Sequence, residues 1–171
     1  MLKALRGFVT SINRFNYRFG KFVGYLAGAI MFVSFYEIIS RYVLNSPTTW
    51  SIEIQAYLLG AYFFLGGGYA LLTDSFVRMD VFYSRWSVRK RAIVDACTFI
   101  LVAVWLVVLI WKGFYWAGVS IAVGEHYVSL AKTPVGPIKT ILVVGCVMLL
   151  LQAIALFIQD VYMAVRRRPL L

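Results

Sequence analysis

Four long apolar runs, separated by short polar segments, divide the sequence. Each run approaches or exceeds the roughly 20 residues that an α-helix needs to cross the hydrocarbon core of a bilayer. They predict spans at about residues 22–44, 50–72, 92–118 and 138–165. The pattern therefore predicts an all-α integral membrane protein, with four transmembrane helices in one membrane domain at residues 22–171.

The segment before the first run, residues 1–21, has a helical pattern of its own. At ~100° per residue, apolar residues such as Leu5, Val9 and Ile12 share one face, and the basic residues fall on the other. Only Asn16 breaks this division. A basic amphipathic helix of this kind lies in the headgroup region of a membrane. We expect such an interfacial helix here, and a second interfacial segment at residues 76–86, where aromatic and charged residues alternate.

Basic residues are distributed unevenly among the segments between the runs. Counting lysine and arginine, residues 1–21 hold five, 45–51 none, 73–91 five, 119–139 two, and the tail after Val165 three. In membrane proteins the cytoplasmic segments carry the excess of basic residues. The distribution therefore predicts that both termini lie in the cytoplasm.

Composition supports a membrane protein and argues against other classes. Of the 171 residues, 62% are hydrophobic and 14% are charged, which is more apolar surface than a soluble domain of this size can bury. The net charge of +10 does not indicate nucleic-acid binding, because the basic residues stand at the ends of apolar runs. The expected counter-charge is the anionic phospholipid of the bilayer.

Two features of the first run predict contacts inside the membrane. The run is long enough to span only if it includes Glu37 and Arg41. These two residues stand one helical turn apart with the acid first, so we expect a buried ion pair near the outer edge of the bilayer. Gly20, Gly24 and Gly28 form a stripe at four-residue spacing, which predicts close packing against another helix or a partner protein.

The polar turn after the first run carries signals for the start of a helix. Ser46 as a cap and Pro47 at the first helical position predict that the second helix begins there. Trp50 is expected at the membrane interface, and Glu53 in the opening turns is favoured by the helix dipole.

Candidates for catalysis, cofactor binding or transport are few. No acidic or basic residue lies near the middle of any predicted span, where secondary transporters place their substrate sites. The single histidine, His126, cannot supply two axial haem ligands, and we expect no cofactor, metal or enzyme activity. Two alternatives stay open: a self-contained oligomeric channel or exporter, and a membrane enzyme that uses Glu125 and His126.

The polar turn also resembles a known family. Residues 41–53 are similar to the first outer loop of the small membrane subunit of tripartite ATP-independent periplasmic (TRAP) transporters. The residues that carry this likeness are Asn45, Pro47, Trp50, Ser51 and Glu53. The likeness continues through Arg78 and Asp80, similar to the family's cytoplasmic stretch, and through residues 137–152, so that it covers about residues 38–160.

This resemblance implies a role that the residue pattern alone does not. The chain would be the small scaffold subunit of a sodium-driven TRAP transporter that imports carboxylate-type solutes. Its partners would be a large membrane subunit, which carries the moving parts and the sodium sites, and a periplasmic substrate-binding protein that approaches the outer loops. The expected location is the inner membrane of a bacterium.

Overall fold

The computed structural model describes residues 2–75, 88–128 and 131–166. The described chain folds into four helices: α1 Leu2–Tyr42, α2 Ser51–Leu72, α3 Val88–Val123 and α4 Gly136–Arg166. All four are long and apolar enough to cross a membrane, which confirms the predicted all-α class with four spans. The predicted interfacial segment at 76–86 lies outside the described residues.

The first helix differs from its predicted boundaries. A separate helix was expected up to residue 21, whereas α1 continues for 41 residues without a break. Its buried residues Val9, Asn16 and Val23 recur every seventh position, so one packed stripe passes through the predicted boundary. At ~1.5 Å per residue α1 is about 60 Å long, twice the ~30 Å hydrocarbon core. The interfacial location of residues 1–21 stays a prediction.

The helices are arranged around α4 rather than around a central cavity. α4 contacts the other three helices, α1 packs mainly on α2, and α3 packs mainly on α4. In the most apolar stretch of each helix, 39% of the α4 residues are buried inside the protein, against 6% of the α3 residues. Large parts of α1 and α3 are therefore left to be covered by lipid or by a partner.

The packing contacts fix the direction of each helix. Gly60 of α2 faces Ile138 and Gly67 faces Leu149, so α2 and α4 run parallel. Phe99 of α3 stacks on Phe157 of α4, with ring centroids 4.4 Å apart, at the opposite end of α4 from the α3–α4 connection. We call the end with the α1–α2 and α3–α4 connections the loop face, and the opposite end, with the start of α1, the terminal face.

Glycines allow the closest helix approaches. A Cβ at Gly145 of α4 would lie 2.5 Å from the carbonyl oxygen of Phe64 in α2, so any other residue would force these backbones apart. A Cβ at Gly20 would overlap the side chain of Tyr69 in α2. Gly24 and Gly28, the rest of the predicted stripe, have no atom within 4 Å of a Cβ position. The stripe is therefore divided: Gly20 packs inside the chain, and the other two glycines are open.

This division predicts different outcomes for the same substitution. Gly20→Ala should lower the free energy of unfolding by about 1–3 kcal/mol, because the new methyl group overpacks the contact with Tyr69. Gly24→Ala is the matched control, and it should be neutral or stabilising by up to about 1 kcal/mol because alanine favours the helix. Thermal unfolding in detergent, followed by circular dichroism, measures both. Equal effects of the two substitutions would contradict the α1–α2 contact.

Candidate functional site

Glu37 organises the connection between α1 and α2 on the loop face. Its Oε1 accepts hydrogen bonds from Arg41 Nε at 3.0 Å and from Arg41 Nη2 at 2.6 Å. Its Oε2 accepts from the Thr48 backbone N–H at 3.3 Å and from the Thr48 hydroxyl. The predicted pair with Arg41 is present, but the buried carboxylate also holds the loop. Since Arg41 is half-exposed, Glu37 is the central member of the group.

The same loop is held at further points. The Ser40 hydroxyl donates to the Ser46 carbonyl at 2.7 Å, and the Ser46 N–H donates to the Ser40 carbonyl at 2.9 Å. Asn45, three residues after the end of α1, adopts a left-handed conformation with φ 50°, which turns the chain. The expected helix start at Ser46 and Pro47 is wrong, because Ser46 is bound to α1 and α2 begins at Ser51.

Trp50 and the first residues of α2 complete the loop face next to α1. The Trp50 ring stacks on Tyr36 with centroids 5.8 Å apart, and it stays partly exposed, as an interfacial tryptophan does. Ser51 is fully buried. Pro47 is exposed. Of the family-like residues in this turn, Ser51 is therefore buried, Trp50 packs on α1, and Pro47 is exposed.

The α3–α4 connection packs against the start of α2. The Thr133 hydroxyl donates to Glu53 Oε2, and the Tyr57 and Tyr127 rings meet edge to face at 6.2 Å. Antiparallel backbone hydrogen bonds hold the connection, from Tyr127 N–H to Thr133 carbonyl at 3.0 Å and from Val135 N–H to Glu125 carbonyl at 2.8 Å. Glu53 lies in the first turn of α2, directly after the α1–α2 connection, and it binds Thr133 of the α3–α4 connection. The two connections are therefore neighbours on the loop face.

Glu125 forms a separate charged group on this surface. Its Oε2 accepts from Lys139 Nζ at 2.6 Å and from the Ser120 hydroxyl. These two donors, Lys139 first, hold the pKa of the Glu125 carboxyl below its ordinary value. This geometry does not favour the alternative in which Glu125 and His126 form an enzymatic pair, because the Glu125 carboxylate is bound to Lys139 and Ser120.

Polar side chains within the helices bond to one another. Asn16 Nδ2 donates to Gln152 Oε1 at 2.8 Å, and Gln152 Nε2 donates to Asn13 Oδ1 at 3.0 Å. Nearer the loop face, the Ser34 hydroxyl donates to Gln55 Oε1 at 3.2 Å. These contacts join α1 to α4 and α1 to α2. Interhelical hydrogen bonds of this kind are the ordinary use of amides in a membrane protein.

The structure brings together some predicted residues and adds others. Glu37 joins Arg41, and Asn45, Trp50 and Ser51 lie in the same turn, whereas Arg78 and Asp80 lie outside the described residues. Sequence reasoning missed the residues near the helix ends and in the connections that complete these groups: Ser40, Thr48, Ser120, Thr133 and Lys139. Common polar residues of this kind carry no local signal. The signal for Asn16 was present, since it alone broke the apolar face.

The Glu37–Thr48 contact can be tested by a double-mutant cycle. Thr48→Val should lower the free energy of unfolding by about 1.5–3 kcal/mol, the range for a hydrogen bond to a charged group. Thr48→Ser keeps the hydroxyl and serves as the matched control. In a Glu37→Ala background the Thr48→Val cost should fall close to zero, because the acceptor is gone. Unfolding in detergent provides the measurement, and an unchanged cost in that background would show that the two residues are not coupled.

Comparison with known proteins shows the family of this chain. The family model for tripartite ATP-independent periplasmic transporters, DctQ component, matches residues 30–162. No curated protein matches the chain in a sequence comparison. The matched range begins within α1, covers the whole loop face and ends near the end of α4. The chain therefore belongs to the DctQ family, the small membrane subunit of TRAP transporters.

Proposed function

We propose that the chain is the small scaffold subunit of a sodium-driven TRAP transporter in a bacterial inner membrane. The assembled transporter would import carboxylate-type solutes. A large membrane subunit would carry the substrate, and a periplasmic binding protein would deliver it. This chain would hold the large subunit in the bilayer and would perform no chemistry of its own.

The observation that carries this proposal is the position of α4. α4 occupies the centre of the described helices, where a self-contained channel would need a polar lumen. The fully buried polar side chain of α4, Gln152, bonds to Asn13 and Asn16 and is used for packing. The four described helices also run without interruption, whereas secondary transporters often bind substrate at broken helices.

The distribution of charge supports the same role. Each helix contains an uncharged stretch long enough to fill most of the bilayer core, such as residues 96–111 in α3 and 140–159 in α4. Membrane transport proteins place ionisable residues along the path of their substrate. The charged residues of the described helices stand outside these uncharged stretches. The moving and binding parts of the transporter would therefore belong to the large subunit.

The proposed orientation assigns the two faces. The terminal face, rich in arginine and lysine, would lie in the cytoplasm and the loop face in the periplasm. The binding protein would then meet the connections at residues 43–50 and 124–135. Their hydrogen bonds to Glu37 and Glu53 would present a fixed surface to this partner.

Open small residues offer a place for the large subunit. Gly24 and Gly28 lie on one face of α1 with free space in front of both, and Gly118 of α3 is equally open. Helices approach closely in a membrane where small residues line the contact. We assign the large-subunit contact to α1, because its two open glycines continue the stripe that already packs at Gly20.

Co-purification tests this assignment. The double variant Gly24→Leu/Gly28→Leu should reduce recovery of the large membrane subunit with the tagged chain by about tenfold, because bulky side chains separate the helices. Gly118→Leu is the control, and it should leave recovery unchanged. If the control variant reduced recovery and the α1 variant did not, the contact would lie on α3. If the wild-type chain recovered no larger membrane protein, the subunit role itself would be wrong.

A further inference from the structure

One exposed face of α1 changes its chemical character along the helix. Because α1 is unbroken, the direction of each side chain follows from ~100° per residue. The open pair Gly24 and Gly28 defines the direction of this face. The basic residues of α1 within roughly 60° of that direction are Lys3, Arg6, Arg14 and Lys21. The face is therefore basic toward the terminal face and lined by small residues where it enters the membrane.

The other helices of this chain leave the face uncovered. All of its basic residues are exposed, and none of them forms an ion pair with another residue that the structure describes. The buried stripe of Val9, Asn16 and Val23 points about 100° away from the open glycines. Since α2 and α4 pack on that stripe, the face is left for a partner outside the chain.

Lys21 is the basic residue of this face nearest to the glycines, one turn before Gly24. Its Nζ lies 4.4 Å from the centre of the Tyr17 ring, and that ring contacts the Tyr69 ring of α2 with centroids 5.9 Å apart. The cation–π contact holds the ammonium group in place. From Lys21 to Glu37 the helix rises about 24 Å, somewhat less than the ~30 Å hydrocarbon core. With Glu37 at one edge of the core, Lys21 therefore stands at the other edge.

The neighbouring glycines decide what kind of partner Lys21 meets. A helix that packs across Gly24 and Gly28 approaches the α1 backbone closely and displaces lipid from this face. The same helix then passes the Lys21 ammonium group, which loses water there and needs a counter-charge. A second copy of this chain does not supply one, because two copies with the same orientation in the membrane would bring like charges together. The partner is therefore a different helix that carries an acidic residue.

We propose that this face of α1 receives one helix of the large membrane subunit, and that a carboxylate of this helix pairs with the Lys21 ammonium group. Further carboxylates of the same partner, beyond the edge of the membrane, would meet Arg14 and Arg6. The inference rests on the proposed function, since it gives the chemistry of the large-subunit contact. The ion pair would fix the register of the two helices, because one position along the partner places its carboxylate beside Lys21.

Cross-linking of the complex with a carbodiimide tests the proposal. This reagent joins an amine directly to a carboxylate, and only where the two groups touch. The tagged chain is purified with the large subunit in an uncharged detergent, treated, and digested for mass spectrometry. We expect a cross-link from Lys21 to an aspartate or glutamate of the large subunit. Lys21→Arg keeps the charge but lacks the amine, so it should lose the cross-link and leave recovery of the large subunit unchanged.

Removal of the charge gives a second measurement on the same complex. Lys21→Gln should lower recovery of the large subunit about fivefold, because the carboxylate of the partner is left without its counter-charge. Arg18→Gln is the matched control. It removes the same charge from the same helix, at a direction about 100° away from the open glycines, and should leave recovery unchanged. Thermal unfolding of both variants checks that they fold.

Each other outcome would overturn the inference. A complex that forms but shows no Lys21 cross-link would exclude the carboxylate contact and leave the subunit role standing. A cross-link from Lys112 in its place would put the contact on α3. Equal losses of recovery in Lys21→Gln and Arg18→Gln would show only a general effect of basic charge. Unchanged recovery in Lys21→Gln, with less anionic phospholipid in the purified complex, would make a lipid headgroup the counter-charge. If the wild-type chain recovered no large subunit, the proposed function would fail as well.

Discussion

The contact between Gln152 and the asparagines of α1 ties the two ends of this chain together. Gln152 is fully buried in α4, and its amide bonds to Asn13 and Asn16, which are more than a hundred positions away in the sequence. A buried amide without hydrogen-bond partners costs several kcal/mol, and these two bonds satisfy both the oxygen and the nitrogen of the Gln152 amide. Gly68 of α2 has no side chain and so leaves room for the side chain of Asn16. The α2 helix therefore packs closely against α1 beside the same hydrogen bonds. Three of the four helices are fixed where these groups meet.

From this point the rest of the arrangement follows. Once α1 and α2 are placed on α4, α3 has only the remaining side of α4 to pack against. The result is an open set of helices with one central member and wide exposed faces on α1 and α3. Such a form suits a protein that is completed by its surroundings. Lipid and a larger membrane subunit can cover the faces that the chain leaves open.

The sequence predicted four membrane-spanning helices correctly because the lengths of apolar runs depend on bilayer thickness. It predicted less well where helices end, since hydropathy marks the edges of the membrane and α1 continues past them with its buried stripe of Val9, Asn16 and Val23. The Glu37–Arg41 pair followed from spacing on one helix, but the bonds from Glu37 to Thr48 depend on how the loop folds back. The Glu53–Thr133 contact joins residues 80 positions apart, and no local sequence pattern predicts it.

The central claim is that this chain supports transport without performing it. Uptake of labelled carboxylates into proteoliposomes under an inward sodium gradient measures this most directly. Vesicles with the chain alone should show no uptake above protein-free vesicles. Vesicles with the chain, the large membrane subunit and the binding protein should show sodium-dependent uptake, and omission of this chain should reduce it. Sodium-dependent uptake by the chain alone would contradict the account.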